Sequence, residues 1–195
     1  MILAIDTSAG QCAVALVGGR RPVVRAERMT RGHAEALFPM IDAVLAETGA
    51  SYGDLTRIAV CTGPGSFTGI RAGVAAARGL ALGLGVPAVG ISRLEAVGHG
   101  LTGHVVLRGR ADQLYLQQFN DGRPKGAPFI ATGLPDGKTI GDGIPLHSEE
   151  AVWPDLFVLA ELADARDPSS ALPAPLYLRG PDADPPRDGP PVMLD

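Results

Sequence analysis

Apolar and polar positions alternate through the first thirty residues. "ILAID" (Ile2–Asp6) is a short apolar run closed by an acid, "CAVALVGG" alternates up to a Gly-Gly turn, and "RPVVRAERM" alternates again. A period of two over such short runs predicts three consecutive strands. The period then lengthens. "HAEALFPMIDAVLAETG" has apolar residues at helical spacing and ends at Gly49, a natural residue just past a helix. Pro39 lies inside it and predicts a kink or a late start. "RIAVCTG" reads as a strand buried on both faces, "FTGIRAGVAAARGLALGLG" as a second helix, and "VPAVGI" as a further strand.

From His104 a shorter echo follows. "HVVLRGR", "QLYLQQFN" and "APFIATG" predict three more strands, with a turn at "NDGRP", then a loop at "IGDGIP" and one clear helix, "DLFVLAELADA". The last stretch, residues 180–195, is rich in proline and aspartate, lacks periodicity and reads as a draped or disordered tail. The expected organisation is a first lobe over 1–103, a smaller lobe over 104–179 and the tail. The order β-β-β-α-β-α-β of the first part is that of a ribonuclease-H-like lobe. The fold class expected is therefore α/β, two-lobed and actin-like (the ASKHA group), with a truncated second lobe.

Charge narrows the functions. Of 195 residues, 17 are Lys or Arg and 21 are Asp or Glu, and the excess of acid falls after Gly103. A chain that grips nucleic acid alone needs a basic face for phosphate neutralisation, so tRNA or DNA binding without a partner is not expected. "MILAID" carries no charged segment before an apolar stretch, and the most apolar segment, Gly79–Ile91, is too short to span a bilayer. Cys12 and Cys61 form no CxxC pair. These features predict a cytoplasmic protein without a membrane anchor.

Two stretches could carry phosphate chemistry. "GPGSFTG" joins a strand to a helix but lacks the lysine of a Walker loop, and Gly63, Gly65 and Gly69 are spaced one residue too widely for a dinucleotide fingerprint. Either Pro64 and Ser66 simply turn the chain and cap a helix, or the backbone N–H groups hold an anion. Asp6-Thr7-Ser8 ends the first strand, where an acid in an actin-like ATPase would order Mg²⁺. A working ATPase or kinase acting through Asp6 would need a second acid later in the chain, and only Asp112 and Asp142 offer themselves. A residual phosphate site would thus comprise Asp6, Thr7, Ser8, Gly63, Gly65 and Ser66. Histidines 33, 99, 104 and 147 show neither HxxxH nor HExxH spacing, position 37 being leucine, so no metal is expected. Ser66 is not in a GxSxG turn, which removes the usual hydrolase signal. No residue is assigned a catalytic role, and no cofactor is expected.

The second helix, read as Thr68–Leu84, has Arg71 and Arg78 as its only charges. Ile70, Val74, Ala77 and Leu84 make a stripe for the sheet. Gly69, Ala72, Gly73, Ala76, Gly79 and Gly83 make another, of very small residues. In the first helix Leu37, Phe38, Met40, Ile41, Val44 and Leu45 span more arc than one sheet contact requires. Helices apolar or small almost all round are covered by something. The interface predicted on this ground comprises Leu37, Met40, Ile41, Val44, Arg71, Ala72, Gly73, Ala76, Gly79 and Gly83.

"ILAIDTS", "HAEALFPMIDAVLAE" and "GPGSFTGIRAGVAAARGLALGLGVPAVGIS" closely resemble the bacterial TsaB family, also called YeaZ, with weaker matches at "RADQLYLQQF", "GDG" and "PLYLRG". The resemblance implies an actin-like fold and a role in making threonylcarbamoyladenosine on tRNA. It implies a non-catalytic subunit that binds the TsaD-like transferase through helices of the first lobe, works with a TsaE-like ATPase, pairs with itself when alone and meets tRNA only through the complex. The transferase holds its metal with an HxxxH pair, for which this chain offers His33 and Leu37. The basic residues usual after the "YLR" element are replaced here by the Pro/Asp-rich tail.

Overall fold

A computed structural model describes residues 1–142 and 152–179. Nine strands and four α-helices follow in chain order: β1 Ile2–Asp6, β2 Gln11–Val17, β3 Val23–Arg28, α1 His33–Thr48, β4 Arg57–Cys61, α2 Phe67–Leu84, β5 Ala88–Ile91, α3 Arg93–Gly98, β6 Gly103–Arg108, β7 Leu114–Asn120, β8 Arg123–Ala131, β9 Thr139–Ile140 and α4 Leu156–Asp164. The first five strands form one mixed sheet in the order β3-β2-β1-β4-β5. β1, β2 and β3 pair antiparallel, and β1, β4 and β5 pair parallel. A second sheet runs β8-β7-β6-β9. The molecule is mixed α/β, built on two sheets.

Alternation in the first sheet sorts side chains by size. Leu3, Ile5, Cys12, Val14, Leu16, Ile58 and Val60 point to one face and pack under α1 and α2. Their neighbours Ala4, Ala13, Ala15, Ala59 and Cys61 point to the other. A face of alanines lets a helix approach closely, and α4 takes that place with Leu156, Leu159, Ala160 and Ala163. The division at residue 103 had put this helix in the second lobe. Its apolar side instead completes the first sheet, because that sheet is apolar on both faces and needs cover on both. Arg57 fixes the return by donating to the carbonyls of Ala163, at 2.6 Å, and Arg166, at 2.9 Å. Arg166 in turn pairs with Glu95 of α3 at 2.8 Å.

α1 runs unbroken from His33 through Pro39 to a left-handed C-cap at Gly49. No late start occurs. Pro39 is exposed, so the Glu35 carbonyl it leaves unbonded faces water. α3 is an element the periodicity missed. It is six residues long and opens with a capping box between Ser92 and Glu95. Among the described residues no helix is long and apolar enough to cross a membrane. The Pro/Asp-rich tail lies outside the described residues.

Candidate functional site

β1 delivers Asp6, Thr7 and Ser8 to the centre of the first sheet's carboxyl edge. Asp6 is 0% exposed. Its Oδ1 accepts from the Ser8 amide at 2.9 Å and the Ser8 hydroxyl at 2.6 Å, and its Oδ2 accepts from Gln11 Nε2 at 3.2 Å. This is an Asx-type turn, in which the side chain holds the backbone that follows it. Ser8 has one hydroxyl proton and spends it on the carboxylate, so the Cys61 thiol 3.2 Å away is the donor to Ser8 Oγ. Burial pushes that thiol well up, and the Asp6 charge adds to the shift, so Cys61 remains protonated. The Asp6 carboxylate therefore closes a structural network and turns no oxygen to the surface.

The "GPGSFTG" turn is pressed directly onto this network. The Gly63–Pro64 peptide is cis, and Gly63 has φ +94°. The Ser66 amide donates to the Ser8 carbonyl at 2.7 Å, and Thr7 Oγ1 donates to the Gly69 carbonyl at 2.7 Å. Ser66 caps α2 by accepting from the Gly69 amide. A Cβ at Gly65 would overlap the Ser8 carbonyl, one at Gly69 the Thr7 carbonyl, and one at Gly73 the Thr7 hydroxyl. The six residues predicted as a phosphate site do come together, but mainly to pack on one another. Ser8, Gly65 and Ser66 reach the wall of a cleft of about 400 Å³; Asp6, Thr7 and Gly63 do not.

The opposite wall of that cleft is Arg108, Gly109, Arg110 and Tyr115, at the end of β6 and the start of β7. Arg93, on α3, also lines it. It is nearly fully buried and pairs with Asp142 at 2.7 Å. Asp142 also accepts from the Arg108 amide at 2.7 Å and the Val152 amide at 3.2 Å. Asp142, one of the two acids that an Asp6-based ATPase could have used, is thus bound to an arginine instead. Arg93 and its pairing with Asp142 were missed in the sequence, where "ISRLE" shows a cation just after a buried strand without saying what it meets. His33 is buried at the start of α1, with Nε2 3.4 Å from the Ala9 carbonyl, and Leu37 is in the core. Among the described residues no group of three His, Cys, Asp or Glu could hold a metal ion. His147 and Gly143 lie outside them.

The predicted interface divides in two. Leu37, Met40, Ile41 and Val44 are buried in the chain's own core, as the inner stripe of α1 on the first sheet. Met40, Ile41 and Val44 are corrected to core residues, while Leu37, though buried, also lines the groove between the two helices. Gly73 is likewise an inward residue. Phe38, however, is 44% exposed. It borders a shallow groove of about 740 Å³ between α1 and α2, floored by Ala72, Ala75, Ala76, Gly79 and Gly83. At Gly79 and Gly83 a Cβ would meet nothing within 4 Å. Arg71 lies one turn nearer the helix start, where its guanidinium stacks 3.7 Å from the Phe67 ring and its Nε donates to the Tyr177 hydroxyl at 2.8 Å.

Residues 5–126 match a family model described as TsaD, tRNA N6-adenosine threonylcarbamoyltransferase. The chain is 34% identical over 204 residues to an uncharacterized protein of Mycobacterium tuberculosis, covering 94% of each. It is 40% identical over 99 residues to the tRNA threonylcarbamoyladenosine biosynthesis protein TsaB of Escherichia coli, covering 51% of this chain and 43% of that one. The structure of YeaZ from Pseudomonas aeruginosa superposes with a TM-score of 0.70 at 28% identity, over 91% of this chain and 99% of the other.

Proposed function

Because the chain belongs to the TsaB (YeaZ) family, we propose that it acts in tRNA threonylcarbamoyladenosine biosynthesis as a non-catalytic subunit, docking a TsaD-like transferase on the α1–α2 groove. The observation that carries this reading is the contrast between a sealed acid and an open groove. Asp6 has both oxygens engaged and is 0% exposed, so it leaves a metal or nucleotide no coordination position. The groove floor, by contrast, is made of alanine and glycine, which let a second backbone approach closely. In this reading the fold is actin-like with a reduced second lobe, the same groove pairs two copies when the transferase is absent, and a TsaE-like ATPase and tRNA join only through the complex, in the cytoplasm.

The test is Ala75→Arg. Ala75 is exposed on the groove floor, and arginine keeps helix propensity nearly constant. In a closed interface the new charge must be desolvated, a cost of about 3 kcal/mol, which weakens association more than a hundredfold. Melting temperature stays near that of the parent chain. Sedimentation of the chain alone, and binding to the purified transferase, give the readouts. Undiminished association with both would end the proposal.

A further inference from the structure

We infer that the Pro/Asp-rich tail, residues 180–195, folds back along α2 and covers the α1–α2 groove, as a built-in competitor of the partner. The inference rests on the reading of that groove as a docking surface and adds what regulates it. α2 carries two charges, Arg71 and Arg78, and both are exposed. Seven residues apart on a helix, they share a face and stand about 10 Å apart along the axis. Among the described residues no acid pairs with either. Arg71 donates through Nε to the Tyr177 hydroxyl and lies over the Phe67 ring, which leaves the forked end of its guanidinium for a carboxylate. The groove beside these arginines has no charged residue in its lining. A segment that fits here brings acids to α2 and apolar side chains to the groove.

The tail brings both. It holds Asp182, Asp184, Asp188 and Asp195 against Arg187 alone, and then Val192-Met193-Leu194. It also starts in the right place. Tyr177 sets its ring 5.0 Å from that of Phe67, in the first turn of α2, and the described residues stop two positions later. Ala72, one residue past Arg71, already belongs to the groove floor. Proline-rich chain favours an extended form that advances about 3 Å per residue. Asp182, five residues past Tyr177, therefore reaches Arg78, and the remaining chain is long enough to lay Val192–Leu194 over Ala75, Gly79 and Gly83. The prolines also reduce the entropy lost when such a segment is held. Charge favours this face over the edge of the first sheet, where Arg21 and Arg25 already face Glu47. A partner that enters the groove must first displace the tail.

The experiment places a nitroxide on the full chain through Asp195→Cys and reads the amide signals of Gly79 and Gly83 by NMR. Cys12 and Cys61 are buried, so the label goes to the new thiol. Both amides should broaden, and to the same degree after about tenfold dilution. Arg78→Gln, or about 1 M salt, should remove at least half of the broadening. Arg123→Gln, on β8 away from α2, should leave it unchanged. Asp182→Asn, Asp184→Asn and Asp188→Asn combined in the unlabelled chain should tighten binding to the purified transferase about threefold or more. Sharp amides in the labelled parent overturn the inference. So does broadening that fades on dilution, which would give the groove to a second copy, and so does unchanged affinity of the triple variant for the transferase. The Ala75 variant is read without the label. Intact association there ends the docking reading, and sharp amides here end only this one.

Discussion

The two halves of α2 use the same residue for opposite purposes. Gly69 and Gly73, in the first half, lie against the Thr7 carbonyl and hydroxyl, with no room for a methyl group. Gly79 and Gly83, in the second half, face open space. The first pair lets the chain pack on itself; the second leaves backbone bare on the surface and costs helix stability with no return inside the monomer. Glycines that look like one stripe in a helical projection thus sit in two different surroundings, Thr7 after the first strand and open space.

The comparison breaks most readily in the first half. Gly69→Ala or Gly73→Ala should destabilise the chain by about 3 kcal/mol or prevent folding, since the first meets the Thr7 carbonyl and the second the buried Thr7 hydroxyl, which is held by the Gly69 carbonyl, and neither yields easily. Urea denaturation measures this, and a midpoint equal to that of the parent would mean the close approach is not real. In the second half the sign reverses. Gly79→Ala should stabilise the free chain by about 1 kcal/mol through helix propensity alone. The same variant should weaken association at least tenfold if a partner backbone comes down on that spot. A rise in melting temperature together with intact association would leave the glycine without a purpose. The smallest effect is expected where the halves meet the C-terminal segment. Tyr177→Phe removes the hydroxyl that accepts from Arg71 but keeps the ring 5.0 Å from Phe67, so thermal melting should register only about 0.5 kcal/mol.

Much of this was legible in the sequence. The change of period from two to 3.6 placed all of the first seven β and α elements close to their bounds, and the missing lysine already separated the turn from a Walker loop. The open groove was half legible. A helical projection shows that a residue is apolar or small, and Val44 and Gly83 look equally eligible for a partner; only the position of the first sheet decides that Val44 is used up. α3 was missed because six residues hold too few turns for a period, although Ser92 and Glu95 three apart carried a capping signal. The Arg93–Asp142 pair joins residues 49 apart and left no local trace.

α4 has a consequence for how the protein is made. The alanine face of the first sheet is complete once β5 has been synthesised, yet its cover is supplied only by residues 156–164. Between those moments the nascent chain presents a bare apolar surface at the ribosome, and the whole of the second sheet emerges before it is closed. The first 103 residues released alone would keep that surface, and would be a client for holding chaperones rather than a finished domain.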